Sequence, residues 1–287
     1  MWELEKIIQT PTPLIRLCSD WIEAAGVQLW VKRDDLTHPD IMGNKWRKWQ
    51  GHLAQMQAAG LRQFVTFGGA HSNHIWASSA LGRAMGFEMK AFIRGDELNA
   101  QSSPTLRFAY QNGMALDFVS RSAYRNKVAL AATLDTSWYV VPEGGSGPQA
   151  WEGMAGVVHE VETLIKPDAY VCALGTGGSA IGLAKHTTVP VFGVPVLKGM
   201  PWAALFSEAE VGIEVWDGFQ EGGYGKRSED LLVWMKQFTD QFGFTLDSIY
   251  TAKAFRALEF HIRQGYFKPN SQIVFLHSGG LTGDYTG

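Results

Sequence analysis

Short apolar runs alternate along the chain with longer stretches whose apolar positions recur at helical spacing, the pattern of a parallel sheet covered by helices. Residues 28–32, 63–67, 88–93, 115–120, 138–141, 169–174, 189–194 and 272–276 read as strands. Between them, 45–59 reads as a helix closed by Gly60, 73–85 as one stopped by Gly86, and 103–111 as one stopped by Asn112-Gly113. Glycine is the common residue just past a helix end because it accepts the left-handed conformation there. An alanine-rich helix fits between the strands 115–120 and 138–141, and further helices fit 150–165 and 178 to about 185. The run Pro142-Glu143-Gly144-Gly145-Ser146-Gly147-Pro148 breaks the periodicity and marks a crossover between two parts of the fold. The sequence contains no internal repeat and no low-complexity tract.

Composition narrows the function classes. The 287 residues carry 46% hydrophobic and 18% charged side chains, which suits a folded α/β chain with a substantial core. A net charge of −3 supplies no electrostatic attraction for nucleic acid or an acidic membrane surface. The apolar runs are too short to span a bilayer, and the opening Met-Trp-Glu-Leu-Glu-Lys lacks the pattern of a signal peptide. Two cysteines, Cys18 and Cys172, argue against a disulfide framework and for a reducing, cytoplasmic setting. His71 and His74 are three residues apart, but no nearby cysteine or carboxylate completes a ligand set, so no metal is expected.

Three stretches carry chemistry. In Ala173-Leu174-Gly175-Thr176-Gly177-Gly178-Ser179-Ala180 an apolar strand enters a glycine-rich turn and then a helix. Free N–H groups and the positive dipole end at such a helix start suit a phosphate. The same pattern can also be a tight turn with no ligand. Gly175, Gly177 and Ala180 also satisfy the loose dinucleotide fingerprint. That fingerprint needs an acid about 20 residues later, and Val194-Pro195-Val196-Leu197-Lys198-Gly199 has none. The second stretch, Phe67-Gly68-Gly69-Ala70-His71-Ser72-Asn73-His74, is again strand, turn and helix start. Ser72 and Asn73 are capping types, which alone explains them, yet the turn also suits a substrate carboxylate. The third is Met42-Gly43-Asn44-Lys45-Trp46-Arg47-Lys48-Trp49. An ammonium is disfavoured at a helix start, whereas a neutral Lys45 amine ready to condense with an aldehyde fits there. Lys48 shares its face one turn on and can reach a phosphate. A solvated basic patch is the plain alternative.

Together, and in this order, these motifs resemble the 1-aminocyclopropane-1-carboxylate deaminase and D-cysteine desulfhydrase family of pyridoxal-phosphate enzymes. The likeness runs from Thr10-Pro11-Thr12-Pro13-Leu14, through Pro142-Glu143-Gly144-Gly145-Ser146, to His277-Ser278-Gly279-Gly280. It implies the tryptophan synthase β-like fold, fold type II: two open twisted α/β domains with the cofactor between them. A large domain would comprise 1–48 and 150–287, and a small one 49–149. The resemblance implies that Lys45 carries the cofactor covalently and later moves the Cα proton. Lys48 with Gly175, Thr176, Gly177, Gly178 and Ser179 would bind the phosphate, Asn73 the ring 3′-oxygen, and Ser278 would face the pyridine nitrogen. Ser72, Asn73 and His74 would meet the substrate carboxylate, joined by Tyr224, Tyr250 and Thr251 around the substrate. The catalytic set would be Lys45, Ser72, Tyr224 and Tyr250. Read without the family, Tyr224 is a loop aromatic and Tyr250 a half-buried strand residue. A homodimer is implied as well.

Departures within the family bear on the substrate. Cyclopropane deaminases have Gln, Glu and Leu where this chain has His74, Thr251 and Ser278, and all three resemble the D-cysteine desulfhydrase branch. A serine beside the ring nitrogen bonds a neutral pyridine without enforcing its charge, which suits loss of sulfide better than opening of a cyclopropane. Against this, the usual Tyr-Gly-x-Pro run is replaced by Tyr224-Gly225-Lys226-Arg227. The expectation is therefore a deaminase or carbon–sulfur lyase converting D-cysteine to pyruvate, sulfide and ammonia. Its alternatives are the cyclopropane deaminase giving 2-oxobutanoate, a non-catalytic pyridoxal-phosphate or amino-acid binding protein, and a dinucleotide oxidoreductase.

Overall fold

The computed structural model describes residues 7–223 and 225–280. Ten strands among these residues form two sheets: β1 (Leu14–Leu17), β2 (Gln28–Lys32), β3 (Gln63–Gly68), β4 (Glu88–Arg94), β5 (Ala115–Val119), β6 (Tyr139–Val140), β7 (Ala169–Leu174), β8 (Val191–Pro195), β9 (Glu214–Val215) and β10 (Gln272–Leu276). The larger sheet has the order β1-β2-β10-β7-β8-β9 and the smaller β5-β4-β3-β6. Every pairing is parallel except β1 with β2. Parallel strands need helical crossovers that cover both faces, so the central strands of the larger sheet are apolar throughout rather than alternating. In β7 five of six residues are buried, and in β8 all five are.

One face of the larger sheet packs on the helices Glu229–Phe242 and Thr251–Arg263 through Phe238, Phe255, Leu258 and Phe275. The other face is covered by Ala155–Glu162, Gly178–His186 and Trp202–Glu208. The smaller sheet packs on Asn44–Ala58 and Asn73–Met85 through Trp49, Met56, Phe64, Ile75 and Leu81. The helix Asn73–Met85 shows how local signals set its ends. Ser72 Oγ accepts from the Ile75 amide, and Gly86 closes it at φ 62°.

The expected strands and the helix 73–85 are present, with shifts of a residue or two at several ends. The helix expected over 150–165 is instead two, Pro148–Glu152 and Ala155–Glu162. The break falls at Gly153, where a Cβ would lie 1.7 Å from the Arg47 carbonyl oxygen; backbone approach of the helix Asn44–Ala58 dictates the interruption. The alanine-rich helix is likewise two short pieces, Arg121–Tyr124 and Lys127–Ala131, started separately by Ser120 and Asn126. Asn126 Oδ1 accepts from the Ala129 amide, which starts a new helix there instead of continuing the first. The stretch 246–250 forms no strand: Tyr250 is the N-cap of Thr251–Arg263. The strands β1 and β9, which pair at the two edges of the larger sheet, were not expected from the pattern because each is short.

The tightest approach between helices is that of Asn44–Ala58 to Pro148–Glu152. A Cβ at Gly51 would lie 1.9 Å from the Gln149 carbonyl oxygen. Gly51→Ala is expected to destabilise the fold by about 1–3 kcal/mol through overpacking, read from denaturant unfolding. Gly212→Ala, which meets nothing within 4 Å, is expected to change stability by less than about 0.5 kcal/mol.

Candidate active site

Ligands of open α/β sheets sit beyond the carboxyl ends of the strands, and here those ends converge. Beyond them lies a cavity of about 860 Å³ lined from both sheets. Lys45, Lys48, Ser72, Asn73, His74, Gly175, Thr176, Gly177, Gly178, Ser179, Tyr250 and Ser278 all line it. The expected residues are thus gathered in one place, with two exceptions. Thr251 does not line the cavity, and Tyr224 lies outside the described residues.

Gly43 explains how the lysine turn reaches its position. It adopts φ 62°, and a Cβ there would lie 2.0 Å from the Ser278 carbonyl oxygen. Only glycine satisfies both conditions. The Asn44 amide donates to that same carbonyl at 3.3 Å, and Asn44 Nδ2 donates to Ser179 Oγ at 2.9 Å. The start of the helix Asn44–Ala58 is therefore tied to the end of β10 and to the glycine turn after β7. Lys45 Nζ donates to Asn44 Oδ1 at 2.9 Å. Burial lowers its amine to about 8, with Asp247 partly opposing the fall. At that value a substantial fraction is neutral and nucleophilic near physiological pH, as condensation with an aldehyde requires.

Lys48 is buried and donates to the Gly144 carbonyl at 3.2 Å. No carboxylate forms a salt bridge with it among the described residues. Burial, together with Lys45, holds its amine well below the ordinary lysine value. A Cβ at Gly178 would lie 3.2 Å from Lys48 Nζ and 3.1 Å from Ser146 Oγ, so absence of a side chain keeps a hollow open above the start of the helix Gly178–His186. Ser146 Oγ and Thr176 Oγ1 hydrogen-bond across that hollow at 2.5 Å. A lone buried amine, two hydroxyls and a helix start make a receptor for a multiply charged anion. Ser146 was not singled out from sequence, since its turn carried only a structural signal.

Other placements revise the expectations. His74 is buried, its Nε2 bonded to Thr66 Oγ1 at 2.7 Å and its Nδ1 near Ser78 Oγ at 3.4 Å. Burial and the neighbouring Lys45 and Lys48 keep it neutral. Both ring nitrogens are engaged within the fold, so the histidine props the cavity floor and is not free to take a carboxylate. Ser72 caps its helix, as its type suggested. Thr251 is fully buried and exchanges hydrogen bonds with Asp247, accepting from its amide at 2.9 Å and donating to Oδ2 at 2.7 Å. Asp247 also accepts from the amides of Ile249, Tyr250 and Thr251, which fixes the start of that helix. Tyr250 is thereby pressed on the glycine turn: a Cβ at Gly175 would lie 2.9 Å from its ring. In the divergent run, Arg227 donates to Ser248 Oγ at 3.2 Å, bracing the same segment.

A buried amine of lowered pKa near an anion-ready hollow, set between two α/β layers, suits an enzyme with a phosphorylated carbonyl cofactor. The chain belongs to the pyridoxal-phosphate-dependent enzyme family, whose sequence profile matches residues 6–279. It is 30% identical to a Thermotoga maritima protein provisionally named 1-aminocyclopropane-1-carboxylate deaminase, over 95% of each chain. It is 28% identical to a D-cysteine desulfhydrase of Salmonella typhi, over 96% of this chain and 93% of that one. Among solved structures it resembles an ACC deaminase homologue with a TM-score of 0.84 and 26% identity, covering 96% of this chain and 91% of the other. The fungal L-serine ammonia-lyase of Rhizomucor miehei, at 17% identity and a TM-score of 0.69, shares the fold. The protein is a fold type II enzyme dependent on pyridoxal phosphate, and the unpaired buried Lys48 amine and the hollow at Gly178 fit that cofactor's phosphate.

Two outcomes follow from this geometry. The rate at which cofactor-free protein attaches pyridoxal phosphate should rise with pH through about 8 and level off above it, because only the unprotonated Lys45 amine reacts. The measurement is visible absorbance after rapid mixing; a rise continuing to pH ~10 would mark an ordinary exposed lysine. Separately, Arg47→Met should cost about 3–5 kcal/mol in denaturant unfolding, since it strands the buried carboxylate of Asp34.

Proposed function

We propose that the enzyme eliminates the β-substituent of a small D-amino acid of the D-cysteine kind, releasing pyruvate, sulfide and ammonia. The observation that carries this reading is the uncharged end of the cavity below β10. Ser278 lines the cavity there, while the neighbouring carboxylate of Asp247 is turned into the helix cap with Thr251. A hydroxyl, rather than an acid, thus stands where the resemblance puts the pyridine nitrogen. When bound, pyridoxal phosphate supplies the electron sink that stabilises negative charge at Cα. Lys48, Ser146 and the turn Gly175–Ser179 would hold its phosphate, and Asn73 would meet the ring oxygen. Lys45 would hold the cofactor's aldehyde end, and its free amine would take the Cα proton as general base. The helix start at Ser72 and Asn73 receives the substrate carboxylate. Tyr250, braced on Gly175, lines the cavity beside the substrate, and the resemblance gives Tyr224, outside the described residues, a role in the same reaction. Breaking the Cβ–S bond leaves HS⁻ and a three-carbon enamine, which water converts to pyruvate and ammonia.

The resemblance to the desulfhydrase branch at His74, Thr251 and Ser278 supports the substrate, and the D-cysteine desulfhydrase of Salmonella typhi is a full-length relative. We further propose the division into 1–48 with 150–287 and 49–149, a homodimer, and a cytoplasmic location. The two cysteines are unpaired, which supports the last of these, and among the described residues no helix is long and apolar enough to cross a membrane.

Keto-acid release from D-cysteine and from 1-aminocyclopropane-1-carboxylate separates the two chemistries. The expected result is pyruvate and sulfide from D-cysteine, with Lys45→Ala lowering kcat by about 100-fold or more. Release of 2-oxobutanoate from the cyclopropane compound alone would move the enzyme to the deaminase branch. An absorbance change on adding either amino acid, with no ammonia formed, would make it a binding protein.

A further inference from the structure

We propose that Arg94 recognises a second anionic group on the substrate, so that the preferred substrates are β-substituted alanines whose substituent ends in a carboxylate or a similar anion. The proposal rests on the elimination reading above and names its substrate class.

Arg94 is the last residue of β4, and it pairs with Val119 of β5. Its neighbour Ile93 pairs with Gly68, so the arginine stands beside the turn that leads from β3 to Ser72 and Asn73. A Cβ built on Gly69 would lie 3.6 Å from Arg94 Nη2, which puts the guanidinium against the opening residue of the carboxylate turn. The group is held from below by the Tyr124 ring, 5.8 Å from the guanidinium carbon to the centroid. Tyr124 is itself fixed, because its hydroxyl donates to Glu143 Oε1 at 2.9 Å.

Two of the other cations on this wall are paired, and Arg125, which also lines it, is exposed. Lys127 meets Glu143 Oε2 at 3.1 Å, and Arg121 pairs with Glu97. Arg94 forms no ion pair with a carboxylate among the described residues. Its planar fork is therefore available for a bidentate partner, in a cavity whose described lining has six lysines and arginines against three acids. That excess occurs in a chain whose net charge is −3, so the basic character is local to the cavity. One anion, the cofactor phosphate, is met by Lys48. The α-carboxylate goes to the helix start. Arg94, set by the Tyr124 ring beside Gly69, is placed for a third anion, on the substrate's side chain.

In the reaction this implies, the Cα proton passes to Lys45. The Cβ–S bond then breaks with its electron pair on sulfur, and a thiolate leaves with its anionic tail. A cavity of about 860 Å³ lies toward the upper end of the range for ligand pockets, which leaves room for such a tail beside the cofactor.

The test compares S-carboxymethyl-D-cysteine with S-carbamoylmethyl-D-cysteine, which differ only in carboxylate against amide. The holoenzyme should favour the carboxylate by about ten- to a hundredfold in kcat/KM for pyruvate release, mainly through KM. Arg94→Gln should bring the ratio near unity, and Arg94→Lys should restore part of it. A parallel titration of the holoenzyme's visible absorbance with D-aspartate and D-asparagine reads binding without turnover and should show the same preference. Equal use and equal binding of both members, or a preference that survives in Arg94→Gln, overturns the assignment. Loss of pyruvate release from every compound, D-cysteine included, would instead count against the elimination reading, and the absorbance titration still decides the role of Arg94.

Discussion

The buried guanidinium of Arg47 is the fixed point of this molecule. It makes two hydrogen bonds to Asp34, at 3.1 and 3.0 Å, and two to Glu160, at 2.6 and 2.8 Å. Glu160 also accepts from Lys32 at 2.5 Å, and Asp34 from Thr12 Oγ1 at 2.6 Å. A charge taken out of water is costly unless its partners replace the lost hydration, and here each carboxylate is matched by several donors. The network ties the first turns of Asn44–Ala58 to the end of β2 and to the helix Ala155–Glu162. Because Arg47 points into it, Lys45 and Lys48, three residues apart on another face of the same helix, are directed at the cavity.

That orientation creates the chemistry through desolvation. Lys45 and Lys48 lose hydration without gaining a carboxylate in contact, so their amines fall below the ordinary lysine value. The consequence differs for the two. For Lys45 a depressed value means a nucleophile at neutral pH. For Lys48 it means an ammonium that a phosphate dianion placed beside it would stabilise. His74, neutral between Thr66 and Ser78, adds no competing charge to the floor.

Glycines set how closely these groups approach. Gly43 passes the Ser278 carbonyl, Gly178 leaves the hollow above Lys48, and Gly175 accepts the Tyr250 ring. The buried cap of Asp247 on Thr251 aims that ring and withdraws an acid from the cofactor's surroundings.

Much of this was legible in the amino-acid order. The glycine turns, the lysine after Asn44, the two helix starts and most strands follow from local rules, because a strand running into glycine and then a capped helix is specified by adjacent residues. The helix 150–165 was misread because its break at Gly153 answers to the Arg47 carbonyl, more than a hundred residues earlier. The placement of Thr251 off the cavity lining and of Tyr250 at a helix start was not legible for a related reason. A cap with Asp247 and contact with Gly175 decide where they point, and neither is a matter of periodicity. Arg47 and Glu160 gave no signal, since their pairing spans 113 positions. The sequence by itself determined which groups could do chemistry. The tertiary structure decided which of them lose water and face one another, because desolvation and distance are properties of packing and not of order along the chain.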